Sequence, residues 1–446
     1  MSAGGQSGTD LNVAVIGGGY SGMAAAVRIV ECGGRATVFE AGRVLGGRAR
    51  RIEYQGRVLD NGQHILSGAY RDLLRLIDVV GVPAGSFDRV PLQLEMPPTF
   101  HLRAPRLPAP LHMAGALLNA KGLGWLDRWR AVQFMSRLKR TAYQVEPSLT
   151  VASLLAKHNQ TATLIKYLWQ PLTISALNTP ISHASAQVFV NVLRDALAQA
   201  REASDLLLPK VDLSALFPEP AARWLAGRGC ETLTAASVSG LSASEDAVTF
   251  NAKGSDWIFD AAIVAVAPHQ RDVLFAKDAA TPNTTMRYEP IVTIYLGFDT
   301  TSRLPLPMLG QADGMVQWFF DRRQLSATPE TGELVIAAVI SASGPHEALA
   351  QAGLVDVVLS ELRRHMPTLP NPLWQKVIQE KFATFACTPE VVRLPTTTQH
   401  RRIYLAGDDI INAERLYPAT LEGAVRNGIT AAETAIQHLR ANHEAH

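Results

Sequence analysis

Three glycines near the start of the chain stand at a spacing that could hold phosphate. Gly17, Gly19 and Gly22 form the pattern GxGxxG within "VAVIGGGYSG", directly after an apolar run that is typical of a buried strand. The first glycine allows a tight turn, the second lets backbone amides approach a pyrophosphate, and the third lets a following helix lie close to the sheet. Glu40, at the end of a second apolar run, is placed to accept hydrogen bonds from an adenosine ribose. These residues predict a dinucleotide site.

A second glycine turn follows Glu40 at once. In "AGRVLGGRARR", Gly47 and Arg48 could add a backbone contact and a guanidinium contact to a pyrophosphate. The glycine spacing by itself leaves NAD and FAD equally open as the dinucleotide.

Another such element lies near the end of the chain. It consists of "AGDD", with Gly407 and Asp408, and "TLEGAVRNG", with Gly423 and Ala424. Together these stretches are typical of a phosphate-and-sugar-binding turn that enters a helix. Asp408 is also suited to cap a helix N-terminus.

The elements around these residues have the order of a Rossmann-like α/β domain. The pattern predicts a strand over residues 12–16, a helix from the glycine turn to about Cys32, and a strand over residues 36–40. Residues 228–268 alternate between short strands and turns and end in a buried strand before Pro268.

The composition is that of an ordinary globular chain. It has 446 residues, 47% hydrophobic and 18% charged, and a formal charge of +2, without the basic field expected of a nucleic-acid binder. The three cysteines lack metal-site spacing, the first ten residues lack a signal-peptide pattern, and no apolar run is long enough to span a membrane. We therefore expect a cytoplasmic protein that does not bind nucleic acid.

These motifs together resemble the flavin amine oxidase and phytoene desaturase superfamily over nearly the whole chain. The resemblance rests on GxGxxG, Glu40, "GGR", "DNGQH", "AGDD" and "TLEGAVRNG". Within that superfamily, "DNGQHILSGAY", "PLTISALNTPISHASAQVFVNVLRDAL" and "LLLPKVDLSALFPEPAARWL" are similar to the squalene-forming branch of bacterial hopanoid pathways.

The resemblance implies FAD, extended between the first and last motifs. Asp408 would bind the ribityl or phosphate region, Gly423 and Ala424 would lie by the flavin ring, and the backbone of Val238 would meet adenine. The implied domains are a discontinuous FAD-binding domain of the amine oxidase type, over residues 10–75, 221–275 and 393–446, and an inserted α+β substrate domain over residues 76–220 and 276–392.

The resemblance also implies a reaction, the reduction of hydroxysqualene to squalene. The chain has no second GxGxxG for NAD(P)H, so an external electron donor is expected. A carotenoid-type desaturase, a flavin amine oxidase and a non-enzymatic prenyl carrier stay open as alternatives. Amine oxidation is less favoured, because residues 290–298 lack the lysine that amine oxidases commonly carry and Thr420 stands where they often have an aromatic residue.

His64, after the "DNGQ" turn, is the candidate proton donor, because imidazole titrates in a useful range. A structural role for His64 stays open. Asp60 is predicted to organise that turn through its own backbone amides, and Asp409 and Glu422 are further acids near the expected flavin ring.

Two segments predict how a long-chain isoprenoid is handled. Residues 167–180 and 315–323 are expected to line an apolar cavity. Residues 96–145 combine eight basic residues with leucines and tryptophans, and Trp125, Trp129, Val132, Met135 and Leu138 recur at helical spacing. This segment predicts either peripheral binding to the inner face of the plasma membrane or an amphipathic core helix with a solvated basic face.

Overall fold

A computed structural model describes residues 11–271, 273–275, 286–326, 333–411 and 416–444 of the protein. Its strands, in chain order, are β1 (Asn12–Ile16), β2 (Arg35–Phe39), β3 (Arg51–Tyr54), β4 (Arg57–Asp60), β5 (Leu66–Ser67), β6 (Phe87–Val90), β7 (Gln93–Met96), β8 (Phe100–Arg103), β9 (Leu206–Pro209), β10 (Glu231–Leu233), β11 (Val238–Ala243), β12 (Val248–Ala252), β13 (Ser255–Phe259), β14 (Ala261–Val264), β15 (Tyr288–Asp299), β16 (Met308–Gly310), β17 (Trp318–Asp321), β18 (Glu333–Ser341), β19 (Trp374–Phe385) and β20 (Ile403–Leu405).

The helices are α1 (Tyr20–Glu31), α2 (Arg71–Val79), α3 (Leu111–Asn119), α4 (Trp125–Arg140), α5 (Val151–Lys157), α6 (Ala162–Leu164), α7 (Gln170–Leu177), α8 (Ala186–Leu197), α9 (Leu213–Leu216), α10 (Pro218–Ala226), α11 (Pro268–Arg271), α12 (Arg322–Leu325), α13 (Gln351–Arg363) and α14 (Leu421–Glu444). Short 3₁₀ turns lie at Ala84–Ser86, Arg201–Ser204 and Pro345–Ala348, and a π turn lies at Ile165–Trp169. No described helix is long and apolar enough to cross a membrane.

A parallel five-stranded sheet forms one half of the molecule. Its order is β10-β2-β1-β14-β20, so strands from the start, middle and end of the chain lie side by side. The register pairs Val13 with Ala36 on one side and with Ala261 on the other. Because all five strands are parallel, their carboxyl ends meet at one edge of the sheet, which is where open α/β sheets bind ligands.

The two faces of this sheet have different coverings. Along β1 the side chains alternate, with Val13 and Val15 in the core shared with α1 and α14, and Ala14 and Ile16 in the core shared with β11–β13. The alternation follows from the two-residue period of a strand. The sheet is therefore buried between a helix layer and a three-stranded antiparallel sheet, as its continuous apolar strands predict.

A second five-stranded sheet, of order β16-β17-β18-β15-β19, forms the other half and is antiparallel. Its central strand β15 sends Val292, Ile294 and Leu296 into a core with α13, while Tyr295 joins the opposite core, which also contains side chains of α4 and α8. Residues 290–298, the segment without the amine oxidase lysine, lie within β15, which extends slightly further at both ends because β18 and β19 pair along almost all of it.

The fold has the mixed α/β architecture that the motifs predicted, with one parallel and one antiparallel five-stranded sheet. The strands of the parallel sheet come from the three segments assigned to the FAD-binding domain. Helix α2 runs across the predicted boundary at residue 75, and Leu73, Leu76 and Ile77 join the core of the helix layer. The domain boundaries themselves stay a prediction.

Candidate functional site

The predicted glycine turn lies at the carboxyl edge of the parallel sheet. Gly17 follows β1 with a φ of +112°, a conformation that side chains with a Cβ rarely adopt, and its N–H donates to the Phe39 carbonyl oxygen at 2.8 Å. A Cβ on Gly22 would lie 1.9 Å from the Gly17 carbonyl oxygen. Helix α1 can therefore approach the turn only because residue 22 is glycine.

The two glycine turns at the start of the chain contact each other. Gly46 donates its N–H to the Gly18 carbonyl oxygen at 2.9 Å, and Gly19 and Gly46 form a parallel bridge. A Cβ on Gly47 would lie 3.3 Å from the Gly19 Cα. This close approach leaves the backbone of both turns side by side, in the arrangement expected where amides converge on a pyrophosphate.

Glu40 joins the glycine turn through both carboxylate oxygens. Its Oε2 accepts from the N–H of Gly18 and its Oε1 accepts from the N–H of Gly42, each at 2.7 Å. The carboxylate thus lies beside the turn, as the spacing predicts, and its remaining lone pairs can accept from ribose hydroxyls. Ribose binding by Glu40 stays a prediction.

Arg48 and Asp408 connect the first and last motifs across 360 positions of sequence. The Arg48 guanidinium donates from Nη2 to Asp408 Oδ1 and from Nη1 to the Ala383 carbonyl oxygen. Burial is the largest single influence and lowers the pKa of Arg48, but the charge and hydrogen bond of Asp408, together with the charge of Asp409, outweigh it and raise that pKa overall. Asp408 does not cap a helix, since the last helix α14 begins only at Leu421.

A second buried pair lies beside the first. Arg271 Nη2 and Asp409 Oδ2 are 2.6 Å apart, and both side chains are buried. Burial raises the pKa of Asp409, against the opposing charge of Arg271. Gly407, with a φ of +146°, brings this pair against the turn, because a Cβ there would lie 2.6 Å from Asp409 Oδ1.

Several buried polar atoms here have no protein partner. Nε and Nη1 of Arg271, Nε and Nη2 of Arg393 and Oδ1 of Asp409 lack a hydrogen bond to any residue that the structure describes. Buried polar groups almost always find a partner, so unsatisfied arginine donors at the edge of a nucleotide fold indicate a polar, anionic group. A flavin dinucleotide, with its pyrophosphate and ribityl hydroxyls, fits this donor set. Sequence reasoning missed Arg271 and Arg393, since neither belongs to a motif.

The terminal helix α14 approaches the same edge. The N–H of Gly423 donates to Thr420 Oγ1 at 3.1 Å, and the Ala424 N–H donates to the Thr420 carbonyl oxygen at 3.0 Å. Asn427, which the sequence did not single out, donates from Nδ2 to the carbonyl oxygens of Gly407 and Ile410. The helix and the "AGDD" turn are therefore held together. The contacts of Gly423 and Ala424 with a flavin ring stay a prediction.

The acids considered as proton donors have structural partners. Glu422 accepts from the backbone N–H groups of Asp72 and Leu73 at the start of α2, and it also pairs with Arg426. The prediction that Asp60 organises its own turn was wrong. Instead its Oδ1 accepts from the Leu213 N–H at 2.8 Å, because the turn packs directly on the start of α9. Burial, the largest influence on this carboxyl, raises the pKa of Asp60 to about 6.

His64 lies half-buried after that turn. Its Nδ1 is 2.7 Å from the Gly62 carbonyl oxygen, a contact that requires the proton on Nδ1 and leaves Nε2 as the other polar atom. Burial lowers the pKa of His64. A Cβ on Gly62 would lie 3.6 Å from His64 Cε1 and 3.9 Å from Thr293 Oγ1, so these two side chains flank the glycine.

The remaining predicted residues lie on either side of this edge. Val238 is buried at the start of β11 and pairs with Ala252, and its contact with adenine stays a prediction. The two predicted substrate segments meet where Trp318 Nε1 donates to Ser175 Oγ at 3.1 Å. Tyr167 of the first segment stacks on Phe100 with 5.4 Å between ring centroids. The expected isoprenoid-lining segments therefore share one apolar core.

Residues 20–436 match the model of the flavin-containing amine oxidoreductase family. Among curated relatives, hydroxysqualene dehydroxylase of Rhodopseudomonas palustris is 28% identical over 447 residues, covering 96% of this chain and 99% of that protein. Hydroxysqualene dehydroxylase of Zymomonas mobilis is 26% identical and covers 95% of this chain and 99% of the relative. Zeta-carotene desaturase of Capsicum annuum is 24% identical over 50% of this chain and 40% of its own length.

Solved structures share the fold at low sequence identity. An oxidoreductase from Methanosarcina mazei superposes with a TM-score of 0.72 at 15% identity, covering 95% of this chain and all of that one. Cyclohexylamine oxidase from Brevibacterium oxydans superposes with a TM-score of 0.67 at 17% identity, over 97% of this chain and 100% of the other. These likenesses concern the fold alone.

Proposed function

The chain belongs to the flavin-containing amine oxidoreductase family and is an FAD-dependent oxidoreductase, and from this premise we propose that it reduces hydroxysqualene to squalene. The observation that carries the proposal is the match to relatives named hydroxysqualene dehydroxylase, which extends over nearly the full length of both chains. A match that includes the segments outside the FAD motifs supports a shared substrate as well as a shared cofactor.

The residues at the sheet edge would hold the cofactor in three places. The backbone of the glycine turns and the Arg48 guanidinium would contact the pyrophosphate, and Glu40 would accept from the adenosine ribose. Asp408 would bind the ribityl region, while the start of α14 at Gly423 would lie beside the flavin. A helix N-terminus suits the negative charge of a reduced flavin. Once reduced by an external donor, FAD bound there supplies a hydride.

The reaction replaces a carbon–oxygen bond by a carbon–hydrogen bond. The hydride adds to the allylic carbon that carried the hydroxyl, and the hydroxyl leaves as water with one proton. The two electrons come from the external donor, so the atoms and electrons balance. The chain's own part is to bind and orient the alcohol, to exclude bulk water and to supply that proton.

We assign the proton to His64. With its Nδ1–H bonded to the Gly62 carbonyl oxygen, the imidazole ring is oriented, and Nε2 carries the exchangeable proton when the ring is charged. Burial lowers the pKa of His64, which makes the charged ring a stronger acid and restricts it to lower pH. Thr293 Oγ1 is buried, has no partner among the described residues and also lies near Gly62, so in this proposal it would bind the departing hydroxyl.

The proposed substrate has few polar groups that the protein could bind. A thirty-carbon chain offers CH groups, whose burial contributes about 0.8 kcal/mol for each CH₂. The core that contains Trp169, Trp318 and Phe320 lies against the β15 face that carries Tyr295. Strand β15 has no lysine on either face, so a cationic amine oxidase site has no support there.

Anaerobic single-turnover experiments test the proposed reaction. The photoreduced holoprotein is mixed with hydroxysqualene, and the flavin absorbance and the lipid products are followed together. We expect flavin reoxidation with formation of one squalene for each flavin. Absence of both would overturn the proposal. His64→Gln should retain FAD but reoxidise at least about 100-fold more slowly, the lower end of the range for loss of an acid catalyst.

The match to zeta-carotene desaturase supports a second candidate, an isoprenoid desaturase. That reaction runs in the opposite direction, so the oxidised holoprotein should be reduced when a carotene precursor is added without oxygen. Flavin reduction by the precursor, with no reoxidation by hydroxysqualene, would favour the desaturase. The desaturase is the second candidate because its match covers a smaller share of both chains than the match to hydroxysqualene dehydroxylase does.

A further inference from the structure

We propose that this protein docks on an anionic lipid bilayer through the surface formed by residues 103–140, here called the basic apolar surface. The surface lies outside the FAD-binding edge, and the inference does not rest on the proposed reaction. It comprises the end of β8, the helices α3 and α4 and the segments that join them.

Large apolar side chains are concentrated on this surface. The exposed ones are Leu107, Leu111, Leu118, Trp125, Leu126, Trp129 and Val132. Trp125 is 74% exposed and Trp129 is 61% exposed, although tryptophan is usually largely buried. Scattered exposed apolar residues are ordinary, whereas a cluster with two open tryptophans indicates a binding surface.

The geometry of α4 explains which apolar residues face outward. Trp125, Leu126, Trp129 and Val132 lie on its open face, while Phe134 and Leu138 pack into the core. The predicted apolar stripe from Trp125 to Leu138 is therefore divided between two faces. Steps of three residues advance by about 300° and so drift around the helix, which has 3.6 residues per turn. Helix α4 has a core face, and its tryptophans are not part of it.

The elements of the surface are held together. Leu107 lies against α3, because a Cβ on Gly115 would be 3.8 Å from Leu107 Cδ1. Arg128 of α4 donates from Nη2 to the Ala120 carbonyl oxygen just after α3, and its guanidinium lies 4.8 Å from the Trp125 ring centroid. The exposed apolar side chains thus belong to one packed unit.

Within residues 103–140 the exposed charges have one sign. The exposed basic residues are Arg103, Arg106, Lys121, Lys139 and Arg140. Asp127 is the only acid between residues 103 and 140, and it is buried, with bonds to the Gly124 N–H and the Thr161 hydroxyl. Residues 103–140 therefore present exposed positive charge and no exposed carboxylate of their own.

Basic side chains around exposed tryptophans and leucines fit the boundary between lipid headgroups and acyl chains. Tryptophan favours that boundary, and lysine and arginine near it attract anionic headgroups. A protein interface can also bury tryptophan, but it needs a partner surface of matching shape, whereas a bilayer takes up apolar and basic side chains together without one. The occupant that satisfies both is a bilayer with anionic lipid.

Vesicle flotation with the FAD-loaded protein tests the proposal. Wild type should float with vesicles of phosphatidylglycerol and phosphatidylcholine at low salt, less at high salt, and little with pure phosphatidylcholine. Trp125→Ser with Trp129→Ser, and separately Lys139→Glu with Arg140→Glu, should each lower the partition coefficient about tenfold or more. Ile258→Ser is the matched control, because Ile258 is 69% exposed on β13, and it should float like wild type.

Three results would overturn the proposal. The first is that the wild-type protein does not float with the anionic vesicles. The second is that Ile258→Ser lowers flotation as much as the tryptophan or charge variants do. The third is that the tryptophan variants change the oligomeric state but float as the wild type does. Flavin absorbance shows that each variant is folded. Fluorescence quenching of wild type by brominated lipid needs no variant, and unquenched tryptophan emission in the presence of such vesicles would also contradict bilayer docking.

Discussion

At the scale of single residues, Glu40 has a double task that its spacing alone did not reveal. Its carboxylate accepts from the Gly18 and Gly42 N–H groups and so holds the glycine turn in shape. The same carboxylate is predicted to accept hydrogen bonds from the adenosine ribose. Glu40→Ala should weaken FAD binding by about 1–3 kcal/mol, the cost of a lost hydrogen bond to a charged group. Fluorescence titration of the apoprotein with FAD measures this, with Glu40→Gln as the control that retains one acceptor. Unchanged affinity in the alanine variant would remove Glu40 from the site.

Asp60 provides a prediction for pH. Because burial raises the pKa of Asp60 from 3.8 to about 6, the folded protein holds this proton more tightly than the unfolded chain does. Its contribution to the free energy of unfolding should therefore decrease as the pH rises through that window, by roughly 3 kcal/mol at about 1.4 kcal/mol per pKa unit.

The variant Asp60→Asn keeps an acceptor for the Leu213 N–H and removes the titration. In this variant the free energy of unfolding should not show the decrease with rising pH that Asp60 causes. Asp246→Asn, at an exposed position, should still show it. Urea unfolding of the holoproteins from pH 4 to pH 7 measures the difference. Parallel pH profiles for wild type and Asp60→Asn would show that Asp60 titrates normally.

At the scale of elements, the approach of α1 to the glycine turn depends on residue 22. Gly22→Ala places a Cβ 1.9 Å from the Gly17 carbonyl oxygen, a contact with rigid backbone, and should destabilise the protein by about 1–3 kcal/mol and weaken FAD binding. Gly353→Ala in α13 is the matched control, since nothing lies within 4 Å of its Cβ position. The control should be neutral or slightly stabilising in thermal unfolding. Equal behaviour of the two variants would contradict the close packing of α1.

The elements that sequence could predict are those with local patterns. Strands β1 and β2 and helix α1 begin and end within about one residue of the expected positions, because apolar period and glycine spacing define them locally. Glu40, Gly47 and Arg48 likewise lie at the predicted edge, since parallel strands bring their carboxyl ends together.

What the sequence could not predict depends on partners far along the chain. Arg271 is unremarkable in its own segment and meets Asp409 across 138 positions, and Arg322 approaches Asp60 across 262. Asn427 was passed over because its two carbonyl partners belong to another motif. The sequence also could not predict that the α4 tryptophans lie outside its core face, because the helical spacing of apolar residues does not show which face of the helix the rest of the protein covers.

At the scale of the whole molecule, FAD should stabilise the assembled fold. The proposed cofactor residues come from three separated segments, so a ligand that contacts them binds the folded chain and not the unfolded one. FAD at about 100 times its dissociation constant should add about 2.7 kcal/mol to the free energy of unfolding. Differential scanning fluorimetry of the apoprotein with increasing FAD measures the rise in Tm, and adenosine serves as the control with fewer contacts. A Tm that is independent of FAD would show that the cofactor does not join the segments.

The pairing of Arg48 with Asp408 has a consequence for how the protein is made in the cell. With 360 positions between them, a ribosome that adds about 5–20 residues each second needs roughly 20–70 s to supply the second partner after the first. The apolar side of α1 lacks the cover of α14 throughout that interval, and β14, once made, lacks its neighbour β20 until residues 403–405 follow. The nascent chain therefore displays an open sheet edge and a bare helix, which are the surfaces that general chaperones protect. The proposed FAD site uses residues from both ends of this sequence, so all of its residues are present only after α14 has been made.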